Sequence, residues 1–475
     1  MKNEEEPLPD SPRGNPSAYR PAAGSAETTG SLPRPGRTAA APDKQPASSM
    51  FPEMMMEAVV DPANMRRAWS QVRANRGAPG PDGITLAQFP AWLGPRWAAI
   101  RQQLLDGTYE PSPVRRKTID KPDGGQRQLG IPNVLDRLIQ QAIQQVLTPV
   151  FDPGFSESSH GFRPRRSAHG AAKQVQRTIR RGYRFVVDMD LSKFFDKVQH
   201  DVLMSRVSCK VRDNRVLKLI GRYLRAGVMV EGVLQSSPEG TPQGGPLSPL
   251  LANILLDDLD KELERRGLPF VRYADDFVIF TKSRRAAERV FQGANRYLTR
   301  VLRLVVNQEK SRIVPADGVE FLGFSFKGAR GTINVAAKNI QRFKRRIREL
   351  TGRSRGISMP QRLTELRRYV QGWMGYFALA AQMRLFEQFD QWLRRRLRMC
   401  FWKRWRLVRT RVRNLLDLGV PRRQAFRHAK SRKGPWHMAK TIASGVGMTN
   451  AWLHAQGLVS LKSLWNQLAP LRRTA

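Results

Sequence analysis

The chain has 475 residues, with 82 Lys and Arg against 40 Asp and Glu, a formal net charge of +42. That excess points to a polyanionic partner, nucleic acid rather than a lipid surface, and the 40% hydrophobic content supports a packed core of two or three domains. Only two cysteines occur, Cys209 and Cys400, far apart in sequence, which argues against a disulfide scaffold or a Cys-ligated zinc. No apolar run approaches the ~20 residues of a membrane-spanning helix, and the acidic start MKNEEEPLPD is unlike a targeting segment. A reducing cytosol and no membrane association are expected.

Residues 1–50 are rich in Pro, Ser, Ala and Gly without apolar periodicity, the composition of a disordered tail. From there MMMEAVVDPANMRRAWSQVRANRG has helical spacing and ends at a glycine, and FPAWLGPRWAAIRQQLLDG repeats the helical pattern after a turn-rich APGPDGIT. PVRRKTIDKPDGGQRQLGI reads as a β-hairpin about Pro122-Asp123-Gly124-Gly125, and LDRLIQQAIQQVLTPVF as an amphipathic helix. GYRFVVDMDL and VRYADDFVIF are short apolar runs of strand character with acids at or beside their ends, separated by a helical SPLLANILLDDLDKELERRG. From Lys338 to Lys433 there are 28 Lys and Arg against five Asp and Glu, a net of +23. Apolar residues keep helical spacing there (Phe389, Leu393, Leu397, Phe401), which implies a packed helical domain with a basic face.

The chemistry lies in the acids. Asp275 and Asp276 sit together between apolar runs, and burying two carboxylates needs a compensating partner. Asp188 and Asp190, two apart on a strand, share a face. A third carboxylate brought beside the Asp-Asp pair makes an all-oxygen site suited to Mg2+, which retains waters and substrate phosphates. Two such ions about 4 Å apart would serve in-line phosphoryl transfer. The plainer alternative for a lone Asp-Asp pair is an exposed turn.

YADD, VVDMDLSKFFDKV, EGTPQGGPLSPLLANILLD, NQEKSR and GVEFLGF, in this order, closely resemble the group II intron-encoded reverse transcriptases, or maturases. KPDGGQRQLGIPNVLDRLIQQAI and SHGFRPRRSAHGA extend the resemblance upstream, and RRYVQGWMGYFALA resembles the maturase thumb. It covers about residues 55–470. The implied fold is α+β, a right hand of fingers and palm followed by an α-helical thumb. The expected domains are an N-terminal extension at 51–98, fingers and palm at 99–330, a thumb or maturase domain at 331–433, and a short nucleic-acid-binding segment at 434–475. By resemblance Asp190, Asp275 and Asp276 hold two Mg2+ ions, whereas Asp188 tunes the site or bonds to backbone and Asp196 braces a turn. Phe195 would lie beneath the incoming sugar and select deoxynucleotides, with Phe194 as the core aromatic. Lys121 and Arg127 would clamp the triphosphate, and Gln243 would contact the nascent base pair, its glycine neighbours allowing close approach. Lys310 would face the primer end or triphosphate, or serve the fold alone. Among Trp392, Phe401 and Trp405 most would be core, and the arginines between them would contact RNA.

The implied function is RNA-directed DNA synthesis for a group II intron, with intron RNA binding that assists splicing and mobility. The partners would be intron RNA, an RNA template and DNA primer, deoxynucleoside triphosphates and target DNA, in a bacterial cytoplasm. The alternatives are a retron, diversity-generating or CRISPR-associated reverse transcriptase, and a splicing-only RNA-binding maturase. The lack of paired Cys near the end of the chain fits the endonuclease-less, class C-like lineage, which must borrow its primer.

Overall fold

The computed structural model describes residues 54–120, 126–230, 233–235, 239–240 and 244–473. Four strands form the sheet that carries the acidic motifs. Their spatial order is Phe270–Tyr273, Asp276–Thr281, Phe185–Met189, Arg312–Pro315, each antiparallel to its neighbour. Alternation along the strands sends Val186, Val271, Val278 and Phe280 to one face, where they pack with Ala171, Val175 and Ile179 of the Ala168–Arg180 helix. Val187, Met189, Phe277 and Ile279 take the other face, packed with Leu255 and Leu259 of the Ser248–Arg265 helix and Leu298 of the Arg284–Arg300 helix. Cover on both faces explains why these strands read as nearly continuous apolar runs. It also explains why the acids stand out: Asp188 shares the first face with Val186, a position that burial would otherwise reserve for an apolar residue.

The fingers hairpin forms as expected, with Val114–Asp120 paired antiparallel to Gln126–Ile131. Val228–Val230 adds in parallel to the other edge of its first strand. The N-terminal helical run divides in two, Met55–Val60 and Pro62–Ala74. Pro62 lacks the N–H that a continuing helix would use, and the Asp61 carboxylate accepts instead from Ala63 N at 2.9 Å and Asn64 N at 3.0 Å. Asn64 then donates to Ala142 O at 3.2 Å, so this extension is built onto the Val134–Phe151 helix rather than set apart from the fingers.

Asp136, in the first turn of that helix, is buried and accepts from Tyr109 Oη at 2.9 Å, Tyr223 Oη at 3.2 Å and Ser112 N at 3.3 Å. Burial pushes its carboxyl up to about 6, against the three donors that favour the charged form. A raised carboxyl supports the folded state fully below its ordinary range and loses that support as pH rises through the folded value. Relative to Asp136→Asn, the wild-type protein is therefore expected to lose about 3 kcal/mol of stability between about pH 4 and pH 6. Thermal unfolding of both proteins across that window measures it; parallel profiles would exclude the titration.

The thumb is built from the Ala337–Leu350, Met359–Phe377 and Met383–Arg404 helices. Phe343, Met374, Phe386, Phe389, Leu393 and Trp402 are buried between them. Phe401 and Trp405 are core and Trp392 is partly buried against it, in keeping with the sequence reading. The same core continues through Leu415, Ala425, Met438, Leu453 and Leu461. Buried Asp390 accepts from Ser460 Oγ at 2.7 Å, Leu461 N at 2.8 Å and Lys462 N at 3.1 Å, so it caps the Leu461–Gln467 helix. The 434–475 stretch, expected as a separate segment, is thus fastened to the thumb as far as its described residues run. Among the described residues no helix is long and apolar enough to cross a membrane.

Candidate active site

The RYADDFVIF run is a hairpin rather than one strand. Tyr273 pairs with Asp276, and Ala274 and Asp275 form the turn between them. Ala274 has φ 58°, the left-handed region that residues with a Cβ enter at a cost of about 1–2 kcal/mol. A fully buried network holds the turn in place. Arg272 Nε lies 2.8 Å from Asp260 Oδ1, and its Nη1 donates to Asn253 Oδ1 at 2.9 Å and to Ala274 O at 3.0 Å. Asn253 in turn donates to Gly161 O at 2.8 Å. Gly161 has no room for a side chain, since a Cβ would lie 2.2 Å from Ala274 N. Sequence reasoning passed over Arg272, Asp260 and Asn253. The available signal was Asn253, Asp257 and Asp260 at helical spacing on a face otherwise buried and apolar.

Strand register brings the acids together. Asp188 pairs with Val278 and Met189 with Phe277, where the pairing ends; Asp190 follows Met189, Asp276 precedes Phe277, and Asp275 lies in the adjoining turn. Asp276 is exposed, and the Asp190 side chain keeps 34% of its surface. The Asp190 backbone is fixed from both sides: its carbonyl accepts from Asn307 N at 2.8 Å, and its N–H donates to Ser311 Oγ at 3.1 Å. Asn307 and Ser311 frame the NQEKSR turn, and that turn presents Lys310 Nζ 3.8 Å from Asp190 Oδ2. Asp188 instead faces Arg312 across the strands at 3.3 Å; burial pushes its carboxyl up and Arg312 opposes the shift.

Among the described residues no three His, Cys, Asp or Glu side chains already converge into a metal cage. The donor chemistry nevertheless fits Mg2+, which takes one or two carboxylates and keeps waters and substrate phosphates for the rest. Here Asp190, Asp275 and Asp276 offer oxygen alone, at an accessible sheet end.

Phe194 is buried, and Phe195 meets it edge-on at 5.1 Å and stays half-buried. Asp196 ends the same short turn, exposed. Glu239 and Gly240, where the glycine-rich loop begins, are tied to this turn. Lys197 pairs with Glu239, Gly240 N donates to Val198 O at 2.8 Å, and His200 Nε2 donates to Gly240 O at 2.6 Å. Gly244 also packs closely within the chain: a Cβ there would lie 2.6 Å from Gly130 O of the fingers. Lys121 and Gln243 lie outside the described residues, as does the side chain of Arg127, whose backbone pairs with Ile119. If Phe195 underlies the sugar, Phe195→Ala is expected to raise ribonucleotide incorporation relative to deoxynucleotide roughly tenfold or more in competitive extension. Unchanged discrimination would return the ring to the core.

Several thumb arginines make contacts within the chain. Arg395 stands 3.8 Å from the Trp436 ring centre, and Arg398 Nε donates to Met448 O at 2.8 Å. Arg396 bonds Thr351 and lies against Trp392. Arg395 and Arg398 thus fasten the C-terminal helices, and Arg396 the end of the Ala337–Leu350 helix. Arg404, Arg409 and Arg413 are exposed.

Paired strand-end carboxylates between a fingers hairpin and a helical thumb define a right-hand nucleic-acid polymerase. Residues 119–326 match the family described as reverse transcriptase (RNA-dependent DNA polymerase), and residues 340–418 match the group II intron maturase-specific domain. Protein YkfC of Escherichia coli (strain K12) is 32% identical over 313 residues, 57% of this chain and 82% of YkfC. Group II intron-encoded protein LtrA of Lactococcus lactis subsp. cremoris is 30% identical over 338 residues, 57% of this chain and 56% of LtrA. The chain belongs to the group II intron-encoded reverse transcriptases, RNA-directed DNA polymerases that carry a maturase domain. It spans about half the length of LtrA. Reverse transcriptase domains work with a divalent cation.

Proposed function

We propose that this chain extends a DNA primer along an RNA template, with Asp190, Asp275 and Asp276 holding two Mg2+ ions, and that its thumb binds group II intron RNA to assist splicing and mobility into target DNA. The observation that supports the reading is the antiparallel pairing that ends at Met189 and Phe277, the residues next to Asp190 and Asp276, beside the turn that bears Asp275. Bound magnesium would supply charge neutralisation for the attacking and leaving oxygens. The chain's own groups position the reactants. Lys310, 3.8 Å from Asp190, offsets carboxylate charge and is within reach of a triphosphate entering there. Lys121 and Arg127 clamp that triphosphate from the fingers, Phe195 excludes a ribose 2′-hydroxyl, and Gln243 reads the new pair.

RNA binding and synthesis fall on different parts of the chain and are separable. Each phosphate neutralised releases counterions, so affinity for intron RNA falls log-linearly with salt. Replacing exposed Arg404, Arg409 and Arg413 with Gln is expected to lower that slope by up to about 3 and to weaken RNA-assisted splicing. Elongation on a short preannealed template should change little. A filter-binding salt series beside a primer-extension assay tests this division; wild-type affinity and slope in the triple variant would overturn it.

A further inference from the structure

Phe162 is 54% exposed and has φ 57°. Neither feature serves the fold, since glycine would suit the backbone and a polar side chain would suit the solvent. Its position supplies a reason. Ser158 O accepts from Arg272 N at 2.9 Å and His160 N donates to Arg272 O at 2.8 Å, so the segment runs along the free edge of the Phe270–Tyr273 strand. Gly161 then abuts the catalytic turn, and the Phe162 ring follows with its centre 6.4 Å from that of Tyr273. Tyr273 lies opposite Asp276 and therefore shares its face. Two aromatic rings thus form a step beside the carboxylates, held there by the same backbone contacts that hold the turn.

We propose that Phe162 is a stacking platform for the 3′-terminal nucleotide of the primer strand. The proposal rests on the polymerase reading above. The assignment to the primer, rather than to the incoming nucleotide, follows from the sheet. Phe195 follows the central Phe185–Met189 strand, and Phe162 flanks the edge strand beyond the hairpin, so the two aromatics bracket the carboxylates from opposite sides. A polymerase needs one nucleotide on each side of that point. An aromatic face takes any base, as a primer end of arbitrary sequence requires.

The test compares wild type, Phe162→Gly and Phe162→Trp on an RNA template annealed to a DNA primer ending in 2-aminopurine. Stacking quenches that base, so wild type and Phe162→Trp are expected to quench its emission and Phe162→Gly to leave it bright. Phe162→Gly should also raise the KM for primer–template roughly tenfold, and Phe162→Trp should restore it. Because glycine accepts the left-handed backbone, Phe162→Gly should melt no lower than wild type. Wild-type quenching and KM in Phe162→Gly would overturn the platform, and so would a KM defect that Phe162→Trp does not rescue. Asp275→Asn separates this from failure of the polymerase reading: it should quench like wild type while failing to extend. Quenching that depends on Phe162 in a protein that never extends would retain the platform and remove the polymerase assignment.

Discussion

Asp275→Asn is expected to lower Mg2+-dependent DNA synthesis roughly a hundred- to thousandfold, the scale seen when one electrostatic element of a preorganised site is removed. Folding should be nearly unaffected. Asp275 is a partly exposed turn residue, and replacing a surface carboxylate by its isosteric amide usually changes stability little. Asp190→Asn should behave alike, since the Asp190 backbone, not its carboxylate, makes the contacts to Asn307 and Ser311. Single-nucleotide extension at several Mg2+ concentrations, with melting temperature in parallel, gives the readout. Raising Mg2+ should recover part of the loss if the missing carboxylate acts through the metal. A folded Asp275→Asn protein with full extension would remove this residue from the site.

The sequence disclosed the acids more readily than the device that holds them. Asp275 and Asp276 stood out because charges interrupt runs that are otherwise apolar, and period-2 spacing assigned Asp188 and Asp190 to one face, but only the family resemblance chose Asp190 as the third carboxylate. The hairpin at Ala274-Asp275 was not legible: Asp favours turns, but the residue that takes the left-handed φ is Ala274, which surrounding contacts hold there. The split at Asp61–Pro62 was readable from the Asp-Pro pair, but apolar periodicity across it suggested one helix. The thumb arginines show the opposite limit. A run such as WLRRRLRMCFWKRW fixes which residues face the core, yet it cannot say whether an intervening guanidinium meets solvent or a later helix of the same chain. Arg395 and Arg398 meet the later helices through Trp436 and Met448, contacts spanning 41 and 50 residues that no local pattern encodes.

The buried Arg272–Asp260 pair is where stability and activity should both respond, and by different routes. Both side chains are fully buried, so Asp260→Asn leaves the Arg272 charge without its counterion and is expected to cost about 3–5 kcal/mol. Loss of the pair also loosens Arg272 on Ala274 O, and a turn displaced by even a fraction of an ångström should slow extension, on the order of a hundredfold. A single variant cannot separate misfolding from misplacement. The double variant Arg272→Met with Asp260→Leu can, because apolar residues of similar size often replace a buried ion pair at little cost or with a gain. Its melting temperature should return most of the way to wild type. Its extension rate should not, since methionine can donate neither to Ala274 O nor to Asn253, and those two contacts, rather than the charge pair, fix the turn that bears Asp275. Recovery of both stability and synthesis in the double variant would show that Arg272 serves the core alone, and that the turn is held well enough by Gly161 and its own strands.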